Sequence, residues 1–242
     1  MMSWPYPFLF IHRGAGHDAP ENTMAAFRLG ESRGFRAFEC DVKLSRDGVP
    51  FLLHDATLDA TTNGSGAANA LSWDELSRLD AGSWHSEEYA GEPLVRLEDV
   101  ATFCKQGPHA LNIEIKPCPG RDAETGRMVA QTAARCWANE LMPPLLSSFR
   151  PAALAAARSA APHLPRALLM EILKPRWIQD AVDLGCVAVI TAHHAVGGPE
   201  IHAAHRAGLR VLCYTVNERE EAERLQMAHV DGLITDEVGG AG

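Results

Sequence analysis

A basic face is missing from this chain: 22 Lys and Arg stand against 31 Asp and Glu in 242 residues, a formal charge of −9 with neutral His. Nucleic-acid binders carry clustered basic charge, so the balance argues against that class at the outset. The acidic balance does not fix the sign of a small ligand, because a metal and two basic side chains can reverse the potential locally. The six cysteines, Cys40, Cys104, Cys118, Cys136, Cys186 and Cys213, form no C-x-x-C or other ligand spacing. They read as small buried hydrophobes in a reducing compartment, and a cytoplasmic location is the expectation. Long apolar runs are missing too. The stretch 8–11 is far shorter than a membrane span, and no basic flank precedes it, so neither a signal sequence nor a membrane anchor is expected. No Gly-rich dinucleotide turn follows the first strand, since HRGAGHDAP has G-x-G without a third Gly opening a helix. No G-x-S-x-G elbow surrounds Ser147 and Ser148, which argues against a serine nucleophile.

What is present is alternation. β-rich runs at 8–12, 36–42, 111–116, 145–148, 167–170, 187–191, 210–216 and 232–235 are separated by helical stretches at 22–33, 98–105, 123–139, 151–159, 175–184, 199–207 and 218–229. Asn22 and Asn217 stand where N-caps are wanted, Pro151, Pro175 and Pro199 suit first turns, and Gly34, Gly185 and Gly208 suit helix ends. Eight strands joined by helices without an internal linker predict an α/β fold, a closed (β/α)8 TIM barrel, as one domain over 1–242. A doubly wound open sheet is the runner-up.

One run breaks the alternation. Residues 49–54 follow the second strand too closely for a parallel crossover, and Asp47-Gly48 is a hairpin signal. An extra antiparallel strand is expected, returning His54 to a position roughly opposite Asp41. Residues 55–97 then form a small insertion after the second barrel strand, covering one side of the mouth; so long a loop in a compact domain is usually functional.

Strand alternation sorts the polar residues. Glu39 and Asp41 share one face of the second strand, and Asn112, Glu114 and Lys116 share the inward face of the next barrel strand. Glu39, Asp41 and Glu114 therefore converge at the C-terminal mouth, where barrel active sites lie. Three converging carboxylates repel unless a cation sits among them, and oxygen ligands without Cys favour Mg²⁺ or Ca²⁺. A salt-bridge cluster neutralised by Arg13 and Lys116 is the competing reading. His12 ends the first strand and His54 reaches the same mouth, so two histidines can divide acid and base roles near neutral pH. Arg13 offers a phosphate bidentate donors, and Lys116 adds a second positive charge. This set suits phosphoryl chemistry. His17 lies near the site in sequence; His85, His109, His163, His193, His194, His202, His205 and His229 read as solvated on loops or outer helices.

The ordered motifs resemble the glycerophosphodiester phosphodiesterase family. His12-Arg13-Gly14, Pro20-Glu21-Asn22-Thr23 with Phe27, Glu39-x-Asp41-Val42, Asp47-Gly48, His54-Asp55-x-x-Leu58 and Thr61-Thr62-x-Gly64-x-Gly66 carry the likeness through the first third. Glu114-Ile115-Lys116, Ser148-Phe149, Thr215-Val216-Asn217 and Asp231-Gly232-Leu233-Ile234-Thr235-Asp236 continue it almost to the end. The resemblance implies a distorted (β/α)8 catalytic barrel with a small insertion after the second strand, and hydrolysis of glycerophosphodiesters, such as glycerophosphocholine and glycerophosphoethanolamine, to sn-glycerol 3-phosphate and an alcohol. It makes His12 and His54 the acid–base pair and assigns Mg²⁺ or Ca²⁺ to Glu39, Asp41 and Glu114. Arg13 and Lys116 become phosphate contacts, with Glu21 as a supporting residue. The chain departs from the family pattern in three places. Ala60 replaces an Arg, Tyr214 replaces a Trp in the substrate wall, and Leu94-Val95-Arg96-Leu97-Glu98 replaces Ile-Pro-Thr-Leu-Glu. They bear on substrate choice rather than on the reaction. Competing expectations are lysophospholipase D action, a silent barrel acting as a binding module, and an amidohydrolase-like barrel, whose first-strand H-x-H is missing. The expected partner is a small-molecule diester, with self-association left open.

Overall fold

The computed structural model describes residues 4–237. Of the span 1–242 expected to form one domain, residues 1–3 and 238–242 lie outside the described residues. Among the described residues nine strands form: β1 Leu9–Ile11, β2 Ala37–Leu44, β3 Pro50–Leu52, β4 Ala110–Ile115, β5 Leu145–Ser148, β6 Arg166–Met170, β7 Ala188–Ala192, β8 Arg210–Tyr214 and β9 Gly232–Thr235. The helices are α1 Met24–Ser32, α2 Trp73–Leu76, α3 Leu97–Gln106, α4 Asp122–Cys136, α5 Pro151–Ala160, α6 Trp177–Asp183, α7 Gly198–Arg206 and α8 Arg219–Met227. β1 pairs in parallel with both β9 and β2, which closes eight strands into a ring in the order β1-β2-β4-β5-β6-β7-β8-β9. β3 lies outside the ring, antiparallel on β2. The fold is a closed (β/α)8 TIM barrel with one extra strand, as the alternation predicted.

Parity separates the two cores. Leu111, Ile113 and Ile115 of β4 pack outward in one buried cluster with Val100 and Phe103 of α3 and Val129, Ala130 and Ala133 of α4. The inward-facing Phe10, Ala37, Ala110, Leu145, Ala167, Leu169, Ala188, Ile190, Leu212 and Ile234 fill the barrel interior. Fully burying one Leu or Ile side chain stabilises by roughly 1.5–3 kcal/mol, so these layers hold the strands in register against the charged mouth above them.

Several expectations needed correction. The hairpin closes on Ser45 and Val49, whose backbones bond at 3.1 Å, leaving a three-residue loop with Gly48 at φ 83°. A two-residue Asp47-Gly48 turn would have shifted the pairing by one residue; the longer loop with a left-handed Gly is the other common hairpin geometry. Asp41 O therefore accepts from Leu53 N at 3.1 Å, and His54 lies one position beyond. Asn22 does not cap α1: Thr23 does, accepting from Ala26 N. Nor does Asn217 cap α8, which begins behind Glu218. Pro175 precedes α6 rather than opening it. Among the histidines, His109 is buried, stacked on Phe103 at 5.0 Å and 2.8 Å from Glu31. His193 and His205 are half-buried partners of Glu221 and Asp231.

The segment 55–97 builds its own small core of Leu58, Ala68, Leu76, Ala81 and Leu94 against Phe51 and Leu53. It docks beside the mouth through Glu92, which accepts from Ala25 N at 2.9 Å, and through His85, 2.9 Å from the carbonyl of His17.

Candidate active site

Glu39 and Asp41 on β2 and Glu114 on β4 are all buried, and each offers an oxygen within 4.8 Å of the others. The β2–β4 register pairs Asp41 with Glu114, which is why alternation alone brought them together. Burial, with Asp41 beside it, pushes the Glu39 carboxyl up to about 7. Burial and Asp41 likewise push Glu114 up to about 8. Asp41 goes the other way. Burial alone would raise it, but Lys116, Arg13 and His54, with the amide of Asn22, together hold it below the usual carboxylate range. Two cations cannot neutralise three buried carboxylates, so the cluster has the chemistry of a cation site.

The loop after β1 positions the neighbouring charges. Arg13 takes a left-handed backbone (φ 50°), which turns its N–H onto Glu39 Oε2 at 3.1 Å. Its guanidinium donates to Glu21 Oε2 at 2.7 Å and lies 3.3 Å from Asp41 Oδ2. Lys116 Nζ reaches Asp41 at 3.2 Å and Glu114 at 3.4 Å. Glu21 does not line the cavity; it stands behind Arg13 and aims that side chain.

Both histidines face the cluster, each backed by an aspartate. His12 Nδ1 lies 2.7 Å from Asp236 Oδ1, and its Nε2 is 3.8 Å from Glu39. His54 Nδ1 lies 2.7 Å from Asp55 Oδ1. A carboxylate only accepts, so Nδ1 carries the proton in both rings and Nε2 is the free nitrogen of the neutral imidazole. Burial lowers the His12 pKa, but Asp236 and Glu39 outweigh it and leave the ring raised. Burial dominates at His54, which is lowered.

His12, Arg13, Glu39, Asp41, His54, Asn112, Glu114, Lys116 and Tyr214 line one cavity of about 210 Å³. The structure thus gathers the nine residues singled out in the sequence, eight around the cavity and Glu21 behind Arg13. Sequence reading missed Asn22, Asp55, Asp236 and Asn112 as site residues. Asn22 is buried at φ 59°, donating from Nδ2 to Asp41 Oδ2 and accepting from Asp41 N, both at 3.0 Å. Asn217, read as a cap, instead holds Asp236: it donates to Oδ2 at 3.0 Å and accepts from the Asp236 N–H at 2.9 Å. Asp55 could have been found from its place directly after His54. Asp236, 224 residues away from His12, was read only as the end of the Asp231–Asp236 motif, with nothing local to pair it with that ring.

Residues 12–240 match the model of the glycerophosphoryl diester phosphodiesterase family. The chain belongs to this family of hydrolases. A glycerophosphodiester phosphodiesterase of Caldanaerobacter subterraneus subsp. tengcongensis is 31% identical over 235 residues, which cover 95% of this chain and 93% of that protein. A phosphodiesterase of Oleispira antarctica, solved in complex with the product sn-glycerol-3-phosphate, superposes with a TM-score of 0.90 at 32% identity, covering 95% of this chain and 93% of that one. The glycerophosphodiester phosphodiesterase of Agrobacterium tumefaciens superposes at 0.82 with 27% identity, covering 96% and 97%.

Proposed function

We propose that this member of the glycerophosphodiester phosphodiesterase family hydrolyses glycerophosphodiesters to sn-glycerol 3-phosphate and an alcohol, with a divalent ion, Mg²⁺ or Ca²⁺, at Glu39, Asp41 and Glu114. The observation that carries it is the meeting of two Asp-backed histidines, two cations and three crowded carboxylates in one small cavity. The product complex of the Oleispira relative supports the glycerol phosphate half of the substrate. The donor set is all carboxylate oxygen, which suits a hard cation and leaves room for phosphate oxygens beside it.

Such an ion would neutralise and polarise the phosphate when bound. Arg13 and Lys116 draw the phosphate to the mouth, and Asn22 keeps Asp41 facing the centre. His12 and His54 serve as the acid–base pair, one taking a proton at Nε2 from the attacking oxygen, the other giving one to the departing alkoxide. Asp236 and Asp55 hold the rings so that Nε2 faces the substrate. The segment 55–97 belongs to the same catalytic unit, since its contacts fix the loop that carries His12 and Arg13. Six free cysteines suit a reducing, cytoplasmic setting, and no helix among the described residues is long and apolar enough to cross a membrane.

The deciding measurement is sn-glycerol 3-phosphate release from glycerophosphocholine by wild type and His12→Ala, with and without chelator. Chelation is expected to abolish release, and adding the ion back to restore it; activity that survives chelation would refute the metal. Full activity in His12→Ala would refute its acid–base role.

A further inference from the structure

The cavity at the carboxylates, about 210 Å³, falls below the roughly 300–1,000 Å³ of pockets that enclose drug-sized ligands. It has room for a glycerol phosphate, and an alcohol half extending from the mouth would meet the rim. The rim opposite the carboxylates shows where. Inward parity reaches Ala192 and Tyr214 at the ends of β7 and β8 and, one residue past β5 and β6, Phe149 and Glu171. β7 aligns Met170 with Thr191, and β8 aligns Ala192 with Tyr214, so Glu171, Ala192 and Tyr214 lie at one level, whereas Ser148 aligns with Leu168 and Phe149 sits one layer deeper beside Leu169.

Phe149 and Tyr214, which line the catalytic cavity, meet edge to face with ring centroids 5.9 Å apart. Phe149 also walls a neighbouring groove of about 590 Å³, together with Glu171, the exposed Ile172 and Trp177. Glu171 and Tyr214 border a second hollow of about 380 Å³, opened by the small Ala192 between them. Glu171 therefore stands between two hollows that both adjoin the phosphate site. Among the described residues it makes no hydrogen bond or ion pair, whereas Asp180 and Asp183 of the same groove both face Arg176. Lys174 is the basic residue on the groove's outer lining.

We propose that Glu171, with the rings of Phe149 and Tyr214, forms the subsite for the alcohol half of the diester and selects a choline-type quaternary ammonium. The inference rests on the proposed diesterase activity and adds the residue that sets its substrate preference. A trimethylammonium is a cation with an apolar skin, so it needs aromatic faces and a nearby carboxylate together. A neutral polyol alcohol gains from neither. An acyl chain would use the apolar groove but would leave Glu171 without a role.

The test compares kcat and KM for glycerophosphocholine and glycerophosphoglycerol, which share the glycerol phosphate and differ only in the alcohol. In Glu171→Gln, KM for glycerophosphocholine is expected to rise roughly fivefold, and in Glu171→Lys roughly tenfold or more, with kcat little changed. Values for glycerophosphoglycerol should stay near wild type in Glu171→Gln. An unmoved ratio between the two diesters, or equal losses on both, would overturn the assignment while leaving the activity standing. A wild-type enzyme that turns over neither diester would overturn the proposed activity and this subsite with it.

Discussion

Inward positions on β2 and β4 hold Glu39, Asp41, Asn112 and Glu114, whereas the matching positions on β6, β7 and β8 hold Ala167, Leu169, Ala188, Ile190 and Leu212. One arc of the same ring is charged and the opposite arc is apolar. The charged arc is crowded beyond what Arg13 and Lys116 can neutralise, and burial, with Asp41 beside them, pushes Glu39 and Glu114 up to about 7 and about 8. A fold tolerates that only when the rest of the barrel supplies stability in excess, and the apolar arc is where that excess sits. Substitutions on the two arcs should therefore fail differently.

The largest effect belongs to the charged side. His54→Ala should lower kcat by about 10²–10⁴, the usual contribution of a positioned acid or base, with little change in melting temperature because the ring is half-exposed. Steady-state kinetics beside a thermal melt separate the two readouts, and a parallel collapse of both would assign His54 to the fold. Asn22→Ala comes next. It removes both hydrogen bonds that clamp Asp41, and partners of a metal ligand typically alter metal affinity or activity by about 10–100-fold. A metal titration of activity should show the loss as weaker ion binding, partly rescued at high Mg²⁺; loss without a shift in the metal requirement would count against the clamp.

On the apolar arc the pattern reverses. Ile190 is fully buried between Leu169 and Leu212, and Ile190→Ala should destabilise by about 2–5 kcal/mol. For a chain of this size each kcal/mol shifts the melting temperature by roughly 2–4 °C. The protein that remains folded should keep a kcat far closer to wild type than His54→Ala does. If turnover per folded molecule fell as far, the division between the arcs would be wrong.

Most of the charged arc was legible because strand parity is local. Glu39-x-Asp41 and Glu114 need only a period of two and neighbouring strands to converge. His54 was read one residue out of register, since Asp47-Gly48 looks like a two-residue turn until the Ser45–Val49 pair is seen to close a longer loop. The backing residues were less visible. Asn22 and Asn217 have the composition of helix caps, and only tertiary contacts turn them toward Asp41 and Asp236. His109 shows the same limit from the other side: nothing near it in sequence announces Phe103 or Glu31. The rim of Phe149, Glu171 and Tyr214 went unread as a unit because its members come from three strands.

Tyr214 gives the finest test of the comparison, since it stands where the apolar arc meets the mouth. Its hydroxyl donates to Met170 O across 3.4 Å, too long for a strong hydrogen bond. Removing the hydroxyl in Tyr214→Phe should therefore change stability by less than about 0.5 kcal/mol. The ring is another matter, because its edge-to-face packing on Phe149 shapes the wall. Tyr214→Phe keeps that ring and should keep the ratio of glycerophosphocholine to glycerophosphoglycerol turnover, whereas Tyr214→Ala should lower it. A ratio lost already in Tyr214→Phe would move the selecting interaction from the aromatic face to the hydroxyl.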